Sequence, residues 1–342
     1  MKIKWRKRNE KKILSFLLCV AAALSLTACG EQGQTDSSDS LPKINDLELL
    51  SGAATGSWYT IGAGIADKFN DNYDGFPMTA IPGPGSIGNV PVIASGDSEI
   101  GMSYGPFLIA AQNGKAPFET SYTNLRAICA MQPTAIQPLT TLDIDTFGEF
   151  VNGKIKDTLG CYPVGNASTF VIETIFKQYG LDSISAIESW GAKAYYADGG
   201  SLSDAWSDRH VAIMMPMQNV PASSVTESLV TRSDGHLFSL DDEVIEKLVN
   251  ENGFSAYTIP AGTYEGQTED IKTVALPIVI FTTEDADEEM IYNLTKSIYE
   301  NKEYFEGVHS SFAEFDPDTM NEGTAIALHP GAERFYKEIG LM

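Results

Sequence analysis

Leu47-Glu48-Leu49-Leu50-Ser51-Gly52-Ala53-Ala54-Thr55-Gly56-Ser57-Trp58-Tyr59 runs from a short apolar segment through a glycine-rich turn into a stretch with helical spacing. Residues 47–50 read as a strand and residues 58–69 as a helix, which puts the glycines at the C-terminal end of the strand. Working outward, the same pattern recurs. Residues 78–81 read as a strand, 87–94 as a helix and 100–104 as a strand. Further along, residues 159–162 read as a strand, 169–179 as a helix, 186–190 and 211–215 as strands, and 220–229 as a helix. Alternation of this kind is the sequence signature of βαβ units, and two such series predict two α/β layers.

Two extended apolar stretches, residues 136–142 and 272–281, each lie near a proline and end in a polar break. They predict two α/β domains joined by two crossover strands, with a ligand cleft between them. Domain I would comprise residues 44–137 plus 277–342 and domain II residues 138–276. Helices over 288–299 and 332–339 would return to domain I. The spacing Met290, Ile291, Leu294, Ile298 gives the first of these helices one apolar face for packing on a sheet.

The N-terminal segment has its own logic. A basic run over residues 2–12 precedes an apolar run over 13–26, the layout of a secretory signal and too short to span a bilayer. It ends in Leu26-Thr27-Ala28-Cys29, which resembles a bacterial lipobox. The reading is a lipoprotein signal peptide over residues 1–28, lipidation of Cys29 and a flexible tether over 29–43. The protein would then work outside the cytoplasm, lipid-anchored to the cell membrane.

The formal net charge is −23, and seven of the 23 basic residues fall within residues 1–28, so the remainder is more acidic still. Such a surface repels phosphate backbones and sets nucleic-acid binding aside. A cationic substrate does not follow, because charge far from zero is chiefly a solubility property. The acidic run Glu284-Asp285-Ala286-Asp287-Glu288-Glu289 stands where a helix should start, where it favours the helix dipole. Cys129 and Cys161 sit in apolar runs and read as buried small hydrophobes.

Catalytic constellations are poor. His210, His236, His309 and His329 are scattered without metal-ligand spacing, and no G-x-S-x-G elbow or carboxylate pair in an apolar setting stands out. No catalytic residue, metal or cofactor is expected. Gly83-Pro84-Gly85-Ser86-Ile87-Gly88 spells G-x-G-x-x-G, yet it lies outside the first βαβ unit and lacks the acid that should follow the next strand.

Three stretches place glycine and small hydroxyls between a strand and a helix: residues 52–59, residues 83–89 and Gly165-Asn166-Ala167-Ser168-Thr169. Glycine lets a ligand approach the backbone, and the following helix offers unpaired N–H groups to an anion. Any one of them could be a simple N-cap. Three at strand C-termini from both halves point to convergence on a cleft.

These stretches, with Gly85-Ser86-Ile87-Gly88-Asn89-Val90, Ala94-Ser95-Gly96-Asp97, Asn124-Leu125-Arg126-Ala127 and the ending Leu328-His329-Pro330-Gly331-Ala332-Glu333-Arg334-Phe335-Tyr336-Lys337-Glu338, resemble the TAXI family of TRAP transporter solute-binding proteins. The resemblance covers residues 44–342 and is weaker in the middle. It implies a type II periplasmic-binding-protein fold whose two domains close on a ligand by hinge bending. It implies a small, often anionic solute, a glutamate-like amino acid or a carboxylate, and a TRAP-type membrane permease as partner. By position in the matching motifs, Ser57, Trp58, Tyr59, Ser86 and Asn89 would line one wall. Asn166, Ser168 and Thr169 would line the other; Tyr104, at the end of a strand, and Met217 and Gln218, after another, are further candidates. Arg126, Arg209, Arg232 and Arg334 all fall outside the three loops, so helix N-termini and hydroxyls would hold a carboxylate. The alternatives are a secreted α/β enzyme or a ligand-sensing lipoprotein using the same cleft.

Overall fold

The computed structural model describes residues 47–54 and 57–342. The expected signal peptide, the lipidation site Cys29 and the tether 29–43 lie outside the described residues. Among those described, no helix is long and apolar enough to cross a membrane.

The opening of the chain follows the sequence pattern. Strand β1 (Leu47–Leu50), helix α1 (Ser57–Asn72), β2 (Met78–Ile81), α2 (Gly85–Ser95), β3 (Ile100–Tyr104) and α3 (Gly105–Gln112) alternate. β1 pairs in parallel with both β2 and β3. Every residue of β3 is buried, as expected of a strand covered on both faces. Next come β4 (Leu125–Ile136), β5 (Leu139–Thr140), α4 (Phe147–Asn152), β6 (Thr158–Cys161), α5 (Ala167–Gln178), β7 (Lys193–Tyr196) and α6 (Gly199–Ser207). β8 (Ile213–Met214), β9 (Met217–Gln218), α7 (Ser223–Thr231), β10 (His236–Leu237), α8 (Asp242–Asn252), β11 (Ser255–Ile259) and β12 (Ile271–Thr283) follow. α9 (Glu288–Glu300), α10 (Lys302–Val308) and α11 (Pro330–Ile339) complete the elements.

Two sheets result. The first has the order β2-β1-β3-β12-β4-β9, with β11 also on β12, and the second the order β10-β5-β8-β6-β7. The long strands β4 and β12 run antiparallel from Ala135↔Ala275 to Leu125↔Thr283 and form the spine of the first sheet. Gln137-Pro138 carries the chain from β4 to β5 in the second sheet, and Met215-Pro216 carries it back from β8 to β9. The stretch 272–281 lies within β12, all of whose pairings belong to the first sheet; its N-terminal end meets the second lobe where Leu240 N–H donates to Lys272 O.

Local readings differ in three places. Residues 186–190, expected as a strand, lie in a 3-10 helix over Ile184–Trp190, and the strand is β7 after Gly191. Ile184 and Ile187 are buried three residues apart, the repeat of a 3-10 turn rather than of a strand. Within 211–215 only Ile213–Met214 pairs. The helix expected over 220–229 begins at Ser223, after Pro221, and reaches Thr231. The C-terminal helices fall as read: Met290, Ile291, Leu294 and Ile298 of α9 are buried. α11 crosses α9 so closely that a Cβ at Gly331 would clash with Glu288 O and the Tyr292 nitrogen.

Candidate functional site

The ends of β1, β2 and β3 are tied together by short-range bonds before any ligand enters. Ser51 Oγ donates to Ile81 O at 2.8 Å, and Gly83 N–H donates to Gly52 O at 3.0 Å, so the first two glycine turns hold one another. The Asn89 amide of α2 donates to the carbonyls of Leu50 (3.2 Å), Ser51 (2.8 Å) and Met102 (2.8 Å). Gly83 allows this packing, since a Cβ there would lie 2.5 Å from Asn89 Oδ1 and 2.6 Å from Ser51 O. Gly85 takes φ +89°, a backbone conformation that glycine adopts without strain, as α2 begins. Among the described residues no side chain caps that helix, which leaves its first-turn N–H groups free of a side-chain acceptor.

The third turn is built from the other sheet. Gly165 also takes φ +89° after β6, and Asn166 Oδ1 caps α5 by accepting from Ser168 N–H at 2.9 Å. Thr169 is buried and its hydroxyl donates to Tyr162 O at 2.7 Å, which pins the turn to the end of β6.

These turns converge on a cavity of about 470 Å3 between the two lobes. The first turn and α1 supply Gly52, Ala53, Ser57 and Trp58; α2 supplies Pro84, Gly85, Ser86 and Ile87; β3 supplies Tyr104. From across the cleft come Gly165, Asn166 and Ala167 at the start of α5, and Met217 of β9. Thus the N-terminal ends of α1, α2 and α5, from both lobes, border one space. Trp58 and Tyr104 stack edge to face within it, and the Tyr104 hydroxyl reaches Thr134 Oγ1 at 3.3 Å. Burial pushes that hydroxyl up to about 12, so it stays a neutral donor.

Of the residues singled out from sequence, Ser57, Trp58, Ser86, Tyr104, Asn166 and Met217 meet at this cavity. Tyr59, Asn89, Ser168, Thr169 and Gln218 are not among its lining residues. Tyr59 is half-buried on α1. Asn89 is fully buried beneath the cleft, where it stitches strand ends together. Ser168 and Thr169 serve the α5 turn, and Gln218 lines a second, smaller cavity in the second lobe. Ile87 lines the cleft although its apolar side chain, next to the glycine turn, reads as core. Thr134 supports Tyr104 from inside the apolar strand β4, where the sequence carries no sign of it.

Among the described residues no charged side chain lines the cleft. The arginines are engaged elsewhere: Arg126 with Glu284, Arg209 and Arg232 with Asp234, and Arg334 with Glu288 and Glu289. A larger depression of about 900 Å3 is lined by Asp145, Asp241, Asp242, Glu265, Glu269 and Asp270 together with Lys272, which pairs with Asp242, so its net charge is negative and repels an anion. Cys129 and Cys161 are buried free thiols, and burial pushes Cys161 up to about 12, far from a reactive thiolate. Among the described residues no group of three or more His, Cys, Asp or Glu is placed to hold a metal ion.

Comparison with solved structures shows the fold. A TctC solute-binding protein from Polaromonas is 11% identical, with 87% of this chain and 98% of that chain covered at a TM-score of 0.51. MatC from Rhodopseudomonas palustris, solved with bound malate, is 10% identical, with 86% of this chain and 96% of that chain covered at a TM-score of 0.49. The two sheets, their flanking helices and the cleft between them form a periplasmic-binding-protein fold of type II. The sequence profile of the NMT1-like family matches residues 49–340, and the chain belongs to that family.

Proposed function

We propose that this protein is an extracytoplasmic solute receptor, anchored by a lipid on Cys29, that delivers a small anionic solute to a TRAP-type membrane permease. The observation that carries this reading is the meeting of three helix N-termini from two lobes at one uncharged cavity. Helix N-termini favour negative charge by their unpaired N–H groups and their dipoles. Membership of the NMT1-like family and a fold shared with solute-binding proteins support a binding role, and the TAXI-like motifs support the TRAP partner. In this reading domain I (44–137 plus 277–342) and domain II (138–276) close on the solute by hinge bending. A tether over residues 29–43 keeps the receptor within reach of its permease. The cavity lining offers no nucleophile paired with a base, so binding rather than turnover is the chemistry these residues support.

The magnitudes suffice without an arginine. Micromolar affinity corresponds to about −8 kcal/mol, and hydrogen bonds to a charged group contribute about 1.5–3 kcal/mol each. Four or five such bonds, with apolar contact from Trp58, reach that figure after ordering costs.

A thermal-shift panel of carboxylates and amino acids tests the reading, because a ligand that binds only the folded state raises the melting temperature by mass action. Silence across the panel from folded protein would refute it, and chemical conversion of a bound solute would replace it with an enzyme. Incorporation of labelled fatty acid, abolished in Cys29→Ser, tests the anchor separately.

A further inference from the structure

We infer that the solute carries one carboxylate on an uncharged, apolar body, and that this body occupies a second chamber in the lobe built on the second sheet. The inference rests on the receptor reading above and narrows it. The chamber has a volume of about 210 Å3, and Ile172, Leu202, Met214 and Met215 supply its apolar lining. Its polar side chains, Tyr162, Ser203, Gln218, Ser224 and Ser228, are uncharged, and the serine hydroxyls are bonded within the lobe, Ser203 Oγ donating to Gly199 O and Ser228 Oγ to Ser224 O. The Tyr162 hydroxyl lies over Gly199, where a Cβ would come within 3.4 Å of it, and Gln218 Oε1 accepts from Ser224 Oγ at 2.9 Å, which turns the amide NH2 of Gln218 away from that bond.

Two elements border both spaces. On β9, Met217 lines the cleft and its neighbour Gln218 lines the chamber. On α5, Asn166 and Ala167 at the N-terminus border the cleft, and Ile172, on the second turn, borders the chamber. The two spaces are neighbours across β9 and the first turns of α5, and the proposed solute spans from the helix N-termini into the chamber.

Charge decides what fits. In a chain of net charge −23, not one side chain lining either space among the described residues is charged. One carboxylate finds the N-termini of α1, α2 and α5. A second carboxylate, extended into the chamber, would be desolvated against methionine and leucine without a cation, which is strongly unfavourable. The ammonium of an amino acid would find no carboxylate to pair with. Methionines, unbranched and polarizable, adapt to aliphatic and aromatic groups alike. The class that satisfies both spaces is the monocarboxylate with a short alkyl or aryl tail.

Isothermal calorimetry on the full-length chain tests this with straight-chain alkanoates of increasing length, the α,ω-dicarboxylates and the α-amino acids of matched length. Affinity for alkanoates is expected to rise about threefold to fourfold per added methylene until the chamber is full. Matched dicarboxylates and amino acids should bind at least tenfold more weakly. Ser203→Phe, which fills the chamber from α6, should weaken the longer alkanoates and leave the shortest unchanged. Met215→Ala, which enlarges it, should move the optimum to a longer chain. Affinity independent of length, tighter binding of a dicarboxylate or amino acid, or chamber variants that bind the longer alkanoates as the wild type does would overturn the chamber and leave the receptor standing. No binding by any member of the panel to folded wild type would overturn both.

Discussion

Trp58 and Tyr104 meet edge to face with ring centroids 4.9 Å apart and planes inclined at 65°. One ring comes from the first turn of α1 and the other from the end of β3, so the pair joins two of the elements that shape the cleft, and both residues line the cavity. Because Trp58 is nearly buried, at 9% exposure, Trp58→Ala is expected to cost about 3–5 kcal/mol of stability. Trp58→Phe keeps an aromatic contact with Tyr104 and should cost less than half of that. Urea unfolding of the two variants checks the ranking. Equal losses would mean that the ring pair contributes nothing specific.

Tyr104 also makes an alkaline prediction. Burial holds its hydroxyl near 12, with the bond to Thr134 pulling slightly the other way, whereas a tyrosine in the unfolded chain ionises near about 10. The folded state therefore keeps a proton that the unfolded state gives up. The stability this contributes is present below about pH 10 and lost as pH rises from there toward about 12. Tyr104→Phe should lower stability at neutral pH by about 0.5–1.5 kcal/mol, for the hydrogen bond, and should flatten the alkaline loss. Urea midpoints for wild type and variant, measured near neutrality and again in that alkaline window, would show the two curves converging. Parallel curves would contradict it.

Asn166 separates capping from ligand binding. Its Oδ1 accepts from Ser168 N–H, a role that aspartate fills equally well, so Asn166→Asp should stay within about 0.5 kcal/mol of wild type in stability. The new carboxylate would stand where the proposed anion docks. Two like charges about 4 Å apart repel by about 4 kcal/mol at an effective dielectric constant of about 20, so affinity for a carboxylate should fall by more than tenfold. Calorimetry with any carboxylate that binds the wild type reads this. Unchanged affinity would remove the α5 N-terminus from the site.

Asn89 shows where the sequence stops being legible. The alternation of apolar runs, glycine turns and helical spacing marks β1, α1, β2, α2 and β3, because the turns after β1 and β2 hold Gly52 and Gly83 where neighbouring atoms crowd any Cβ. It was enough to bring Ser57, Ser86 and Asn166 toward one cleft. It could not say which way a polar residue inside a helix faces. Asn89 lies three residues after Ser86, on the same side of α2, yet Ser86 borders the cavity while Asn89 turns beneath it onto three backbone carbonyls. The strand expected over 186–190 differs from the observed 3-10 turn for a related reason: Ile184 and Ile187 are apolar in any conformation, and burial three residues apart fits the turn. Asn89→Leu should therefore act as a fold mutation, costing about 1–3 kcal/mol for the carbonyls it leaves without a donor. Carboxylate affinity of the folded fraction should change by less than threefold; a larger loss with wild-type stability would return Asn89 to the cleft wall.

His329 links the terminal motif to pH. It is 1% exposed, and its Nδ1 accepts from Gly331 N–H at 3.1 Å, capping α11 at the crossing with α9 that Gly331 makes possible. Burial holds its pKa below the usual value, and Arg126 adds to this, against the opposing pull of the Ala286 backbone, Glu288 and Asp287. A buried histidine kept neutral contributes stability that is complete above the unfolded value of about 6.5 and is lost as pH falls below it, because there the unfolded state binds the proton first. Protonation would also remove the acceptor that caps the helix. Asparagine supplies an equivalent cap and does not titrate. Between about pH 7 and about pH 5 the wild type should lose up to about 1.4 kcal/mol more per pH unit than His329→Asn, the remaining titrating groups being common to both. Chemical denaturation across that range decides it, and identical slopes for the two chains would show that His329 takes up its proton alike in the folded and unfolded states.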